Sequence, residues 1–341
     1  MPSLATESLL RVTTTIANAV VLPFAALSRV SLNDLQQSVD YRRASDLVPP
    51  LGPELTNSLM AQAIENGGPF LMARFGSTEL RVVLRHHGRN ARTSLEKFYA
   101  LLTQFEFPWW ASWEHVNIQK KSGFYPVTEQ TVDRFVELMK ASMADLDLLA
   151  SWVPGENKLS HHFTKSKVTT LEHFNQLRRA DLWTKKLKDK RVLVVHPFEN
   201  SIHSQYEKRH LLHEDPEMLP DFDLKIIKAV QSLGTPPPEF PTWFDGLDFM
   251  HAESRKVDYD VALIAAGAYS LPLAARLKAE GKTVLVLGGN TPTFVRNHGE
   301  KMGLQWLVQR PLDAATRHGK TGRLQGSRWG SILVKHEGEK K

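Results

Sequence analysis

Val192-Leu193-Val194-Val195 runs into His196-Pro197-Phe198-Glu199-Asn200-Ser201, and the same succession of apolar run, polar turn and helix repeats through residue 287. The pattern predicts a strand from Val192 to Val195, a helix from Ser201 to His213 and a strand from Lys225 to Ala229. It continues with a helix from Thr242 to Arg255, a strand from Val261 to Ala265, a helix from Leu271 to Glu280 and a strand from Thr283 to Leu287. Strands that are near-continuous apolar runs, separated by helices, form a parallel sheet buried on both faces. The expectation is an α/β fold with a Rossmann-like, mostly parallel sheet flanked by helices and joined by right-handed crossovers.

Toward the N-terminus, Phe70-Leu71-Met72-Ala73-Arg74 reads as one more buried strand, between a helix ending at Gly67-Gly68-Pro69 and another beginning near Thr78. Between them and the alternating part, residues 93–187 read as a mostly helical insertion, with Val132, Phe135, Val136, Leu138 and Met139 on one helical face. Val48-Pro49-Pro50-Leu51-Gly52-Pro53 separates this body from an apolar arm over residues 1–46. The body, residues 54–330, is read as one α/β domain, and residues 331–341 as a charged, flexible tail.

Val12 through Ser28 carries no charge, but Thr13, Thr14, Thr15, Asn18 and Pro23 make it a poor bilayer span. With Glu7 beside Arg11, it is also a poor secretory signal. An interfacial helix and an arm docked on the body are both compatible with it. The expectation is a cytoplasmic protein, with the arm as its contact if it is peripheral to the inner membrane. The chain has 341 residues, 42% of them hydrophobic, enough for a large core. Its 43 Lys and Arg against 37 Asp and Glu give a charge of +6, which suits anionic small molecules or an acidic membrane face. With no cysteine, thiolate metal sites, iron–sulfur clusters and Cys nucleophiles are excluded.

In a parallel sheet, ligands bind beyond the carboxyl ends of the strands. The turns falling there are Gly76-Ser77-Thr78-Glu79, His196 to Ser201, Gln231-Ser232-Leu233-Gly234, Gly267-Ala268-Tyr269-Ser270 and Gly288-Gly289-Asn290-Thr291. Any one of them is explained by turn chemistry alone. His196 and Glu199 add titratable groups that a turn does not need. Arg74, ending a buried strand, requires an anionic partner, either Glu79 or a substrate phosphate.

Other patterns lose to plainer explanations. Asp145-Leu146-Asp147 lies in a helical pattern, while Asp221-Phe222-Asp223 and Asp258-Tyr259-Asp260 precede strands, at the edge opposite the site. His196, His203, His210 and His213 lack zinc-ligand spacing. There is no phosphate-binding Walker loop, no Gly-x-Gly-x-x-Gly and no Gly-x-Ser-x-Gly. The basic run from Lys185 to Arg191 reads as a solvated helix end, so no nucleic-acid partner is expected. Trp109, Trp110 and Trp113 fit a stacking platform or packing equally well.

Arg74-Phe75-Gly76-Ser77-Thr78-Glu79 resembles the motif of the GT-D fold glycosyltransferases, whose usual form is Arg-Phe-Gly-Asp-Gly-Glu. Gly123-Phe124-Tyr125-Pro126, His196-Pro197-Phe198 with Ser201, Gln205, Tyr206 and Glu207, then Gly267-Ala268-Tyr269 and Gly288-Gly289 are similar to segments of GT-D-related proteins of polysaccharide gene clusters. The resemblance implies transfer of a sugar from a nucleotide-diphosphate donor to a glycan or lipid-linked acceptor in cell-surface polysaccharide synthesis.

It also implies a divalent ion, Mn or Mg, with Glu79 as its ligand. Ser77 stands where the family has Asp, so charge compensation falls from two carboxylates to one. The catalytic candidates are Glu79, His196 and Glu199. Arg74, Gly76, Ser77, Thr78, Ser201, Gln205, Gly267, Tyr269, Gly288 and Gly289 are the donor-binding candidates. The alternatives are a nucleotide-sugar-binding subunit without catalysis, and another α/β enzyme acting on nucleotides through His196 and Glu199.

Overall fold

The computed structural model describes residues 41–87, 112–174, 182–211, 216–232 and 236–287, all within one compact unit. Most of the N-terminal arm, Trp109, Trp110, His213, Gly234, Gly288, Gly289 and the C-terminal tail lie outside the described residues, as does the side chain of Trp113.

Residues of the strands divide between two cores with a period of two. Leu71, Leu193, Ala262, Ile264 and Val284 enter one apolar cluster, and Met72, Val192, Val194, Leu263 and Leu285 enter the other. Both faces are therefore covered, as the apolar runs require. The strands are β1 (Phe70–Ala73), β2 (Leu148–Ser151), β3 (Lys167–Thr170), β4 (Arg191–His196), β5 (Asp223–Lys228), β6 (Val261–Ile264) and β7 (Thr283–Val286). They form one seven-stranded sheet of order β3-β2-β1-β7-β6-β4-β5. Every pairing in it is parallel.

The helices are α1 (Pro53–Asn66), α2 (Ser77–His87), α3 (Ser112–Ser122), α4 (Glu129–Ala144), α5 (Leu171–Phe174), α6 (Glu199–Glu207), α7 (Trp243–Arg255) and α8 (Ser270–Ala279). Pro53 opens α1 at its first turn, where a missing N–H costs nothing. Thr128 caps α4 and Thr242 caps α7, each accepting from the backbone three residues on. The first core takes Leu80 and Val83 of α2, Phe135 of α4, Leu247 of α7 and Leu273 of α8. The second takes Met60 of α1, Phe174 of α5 and Ile202 of α6.

The middle of the chain departs from the helical expectation, because it supplies both β2 and β3. Leu148-Leu149-Ala150 is an apolar run of strong helix formers, which periodicity cannot tell from a buried helix. In β3, Val168-Thr169-Thr170 carries the β-branched signal that the helical reading passed over. The body also begins before the proline-rich segment. Ala44 is buried, and its N–H donates to Glu156 at 3.0 Å. Glu156 is fully buried and accepts also from Trp152 N and Val153 N, both at 3.0 Å, and from the Ser151 hydroxyl. Tyr41 and Leu84 close over Gly155, where a Cβ would lie 2.8 Å from one ring and 2.5 Å from the other side chain.

All three Asp-x-Asp triplets lie at the amino edge of the sheet and are engaged there. Asp147 accepts from Leu71 N at 2.7 Å and pairs with Lys278, Asp221 pairs with Arg209, and Asp258 and Asp260 clamp Arg191. The first triplet thus joins the end of α4 to β2 and does not lie within a helix. No helix among the described residues is long and apolar enough to cross a membrane.

Candidate functional site

At the carboxyl edge, β1 ends in Arg74-Phe75-Gly76 and α2 begins at Ser77. Phe75 is buried against Phe163, ring centres 5.6 Å apart, and its carbonyl accepts from Trp152 Nε1 at 2.8 Å. The Arg74 guanidinium lies over that Trp152 ring, 5.6 Å from its centre. Glu79, in the first turn of α2, is turned inward and is 8% exposed. Its carboxylate accepts from its own N–H and from the Ser122 hydroxyl and lies in the field of Arg74. Burial outweighs these contacts and pushes its pKa up, while burial pulls that of Arg74 down against the attraction of Glu79. The guanidinium stays charged nonetheless.

The carboxylate rests directly on Gly76, where a Cβ would stand 2.0 Å from Oε2 and 2.7 Å from the carboxyl carbon. Close approach explains this glycine. Ser77 and Thr78 are half-buried on the same turn. Glu79 is the acidic group of this turn, and among the described residues no three His, Asp or Glu come together to hold an ion. A single carboxylate already committed to internal hydrogen bonds, next to a neutral Ser77, fits a resident Mn or Mg poorly.

Ser122 leads into Gly123, whose carbonyl accepts from Ser232 Oγ at 2.5 Å. Ser232 Oγ lies 3.3 Å from Tyr269 Oη, and Tyr125 completes the hydroxyl cluster. The structure therefore brings together the β1 turn, the 123–126 segment, Ser232 and Tyr269. Tyr269, a donor-binding candidate, lies within the core. The residue is 2% exposed and its ring stacks on Trp243 at 4.6 Å and 7°, so it belongs to the core.

His196 ends β4 and is 9% exposed. Its Nδ1 accepts from Phe198 N at 3.0 Å, so the neutral ring carries its proton on Nε2. Burial lowers its pKa to about 4, which keeps it neutral near pH 7. Glu199 is half-exposed in the first turn of α6, with Ser201 exposed beside it. Gln205 is placed elsewhere. It lies six residues into α6, roughly 9 Å from the helix start, with its side chain buried. Tyr206 Oη binds Phe222 N and O, both at 2.7 Å, before β5 and thus at the opposite edge. His203 and His210 are exposed and do not gather with His196.

The crossovers decide which strand ends open a crevice. The helix after β4, α6, packs on the second core, and the helix after the adjacent β6, α8, packs on the first. Their turns part to opposite faces, so the crevice lies between His196-Pro197-Phe198 and Ala266-Gly267. Gly267, at φ +59°, faces open space. Since β7 and β6 lie between β1 and β4, the Arg74 and His196 turns begin roughly 14 Å apart. Among residues that sequence reasoning did not single out, Ser122 and Trp152 hold the β1 turn, while Glu156 accepts from Ala44 N and Ser151 from Ser45 N.

Comparison of the chain with protein-family models, with curated proteins and with solved structures gives no match.

Proposed function

We propose that the chain is a glycosyltransferase that takes a sugar from a nucleotide diphosphate to a glycan or lipid-linked acceptor in cell-surface polysaccharide synthesis. The observation that supports it most is the Arg74-to-Glu79 turn, which resembles the GT-D motif and lies at the carboxyl end of a central parallel strand. In this reaction the bond from the anomeric carbon to the diphosphate oxygen breaks, with its electron pair going to the diphosphate. The acceptor oxygen bonds to that carbon and gives up its proton.

Arg74 and the first amides of α2 are the groups suited to the charge that grows on the diphosphate. Glu79 positions Arg74 and the turn. To serve as base or metal ligand it must leave its seat on Gly76. Half-exposed Glu199 is the better-placed proton acceptor for a bound acceptor, since Nδ1 of His196 is occupied. The acceptor would come to the same edge, and a lipid-linked one suits an arm in contact with the inner membrane.

The inward Glu79 also favours a second reading, a nucleotide-sugar-binding subunit without catalysis. One experiment addresses both. Thermal shifts are recorded with nucleoside diphosphates and their sugars, followed by radiolabelled sugar transfer with and without Mn²⁺. A ligand at about 100 times its Kd adds about 2.7 kcal/mol of stability. Nucleotide-sugar shifts that vanish in Arg74→Ala, together with transfer, support the enzyme; nucleotide-sugar shifts without transfer support the binding subunit. Absence of any shift would remove both.

A further inference from the structure

We propose that the crevice between the turns after β4 and β6 binds a phosphoryl or similar oxyanion group, with the neutral His196 donating to it through Nε2–H.

Three independent features meet there. The first is the start of α6. Its N-cap is Phe198, which supplies no side-chain hydrogen bond to the first turn, and the first amide bonded back into the helix is that of Ile202. The N–H groups of Glu199, Asn200 and Ser201 are therefore left to solvent or a ligand. The second is His196, a side chain more than nine-tenths buried whose Nε2 has no hydrogen-bond partner among the described residues. That nitrogen is not among the sealed, unpartnered atoms, so solvent reaches it. Strands β5 and β6 flank β4 and helices cover both faces, which leaves the strand-end edge as the route.

The third is charge. Lys228 is the register partner of His196 on β5, one strand spacing away, exposed and without a carboxylate partner among the described residues. Glu199 is the opposing charge on the same turn, half-exposed.

The tautomer gives the site its character. Because Phe198 N–H points at Nδ1, the imidazole presents a donor to the crevice and holds no lone pair there for a proton. His196 is thus an uncharged hydrogen-bond donor, where position at a strand end alone suggests an acid or base. Open space at Gly267 leaves room for a group opposite it. This inference stands apart from sugar transfer, and a protein that binds any phosphorylated small molecule would satisfy it.

The test is nitrogen NMR of the full chain with ¹⁵N-labelled histidine, using inorganic pyrophosphate as the probe and a nucleoside diphosphate as the second arm. Expected are an Nε2-protonated His196 that does not titrate between pH 5.5 and 8 and an Nε2 resonance that moves as pyrophosphate is added. His196→Gln, whose amide N–H reproduces the Nε2 donor, should hold pyrophosphate within about threefold of the parent. His196→Leu should weaken it by about tenfold or more, as loss of a hydrogen bond to a charged group does. Lys228→Ala should weaken it more at low salt than at high.

An Nδ1-protonated ring, titration near pH 6.5, or equal affinity in His196→Leu would overturn the proposal. Arg74→Ala separates it from the donor site, because that variant should lose nucleotide-sugar binding and keep the pyrophosphate effect at His196. A response to the nucleoside diphosphate alone would also overturn it, by placing recognition in the nucleoside.

Discussion

Replacing Gly76 by alanine should dislodge Glu79. The new Cβ would stand 2.0 Å from Oε2, far inside van der Waals contact, so the carboxylate must swing away from its own N–H and from Ser122. Each hydrogen bond to a charged group is worth about 1.5–3 kcal/mol, part of it recovered if the displaced carboxylate reaches water. Losing the capping preference for glycine adds about 0.7 kcal/mol. The expected cost is therefore about 3 kcal/mol for Gly76→Ala and a similar amount for Glu79→Ala.

In the Glu79→Ala background nothing remains for the Cβ to strike, and Gly76→Ala should cost only the capping difference. Urea unfolding of the four proteins of this double-mutant cycle measures the coupling, expected near 2 kcal/mol with unchanged m-values. If Gly76→Ala costs the same in both backgrounds, to within about 0.5 kcal/mol, Glu79 does not occupy that seat and the account of the turn fails.

Glu156→Gln should destabilise by about 2–4 kcal/mol, since an amide cannot accept from every donor that the buried carboxylate satisfies; a loss under about 1 kcal/mol in urea unfolding would contradict the contacts. For His196, the unfolded ring titrates near 6.5 and the folded one at about 4, so its contribution is complete above 6.5 and declines as pH falls toward 4. Wild type minus His196→Gln should change by about 2 kcal/mol over that window, allowing for solvent at the open edge, and a flat difference would show the ring unperturbed. Tyr269→Phe should lose about 1 kcal/mol of stability with the Ser232 contact and leave nucleotide affinity within about twofold, whereas a large loss of affinity with intact stability would restore it as a binding residue.

The alternating part of the chain was readable because its strands are apolar on both faces and its turns are polar. Thr242 marks the start of α7, and β4, β6 and β7 fall within a residue of their expected limits at either end. The helix begun by Glu199 ends at Glu207, short of the expected His213, and the chain passes into a 3-10 turn over Arg209–Leu211. β2 escaped notice, since leucine and alanine serve helix and strand alike.

At the site, Arg74 announced its need for an anion, and Glu79 supplies one of the two partners foreseen. The pairing of His196 with Lys228 arises from strand order, and the inward turn of that carboxylate and the burial of Tyr269 from contacts with Ser122 and Trp243, distant in the chain. Strand order is a long-range property that no local window of sequence contains.

That order has a kinetic corollary. The neighbours β3, β2 and β1 come from the first half of the chain and β6, β4 and β5 from the second, and β7 alone bonds to both groups. During synthesis each group can pair on its own, but β1 and β6 stay as bare parallel edges until Thr283–Val286 leaves the ribosome. Among the described strands β7 is thus the keystone: before it inserts, β3-β2-β1 and β6-β4-β5 are two half-sheets with open edges, the kind of edge along which chains aggregate.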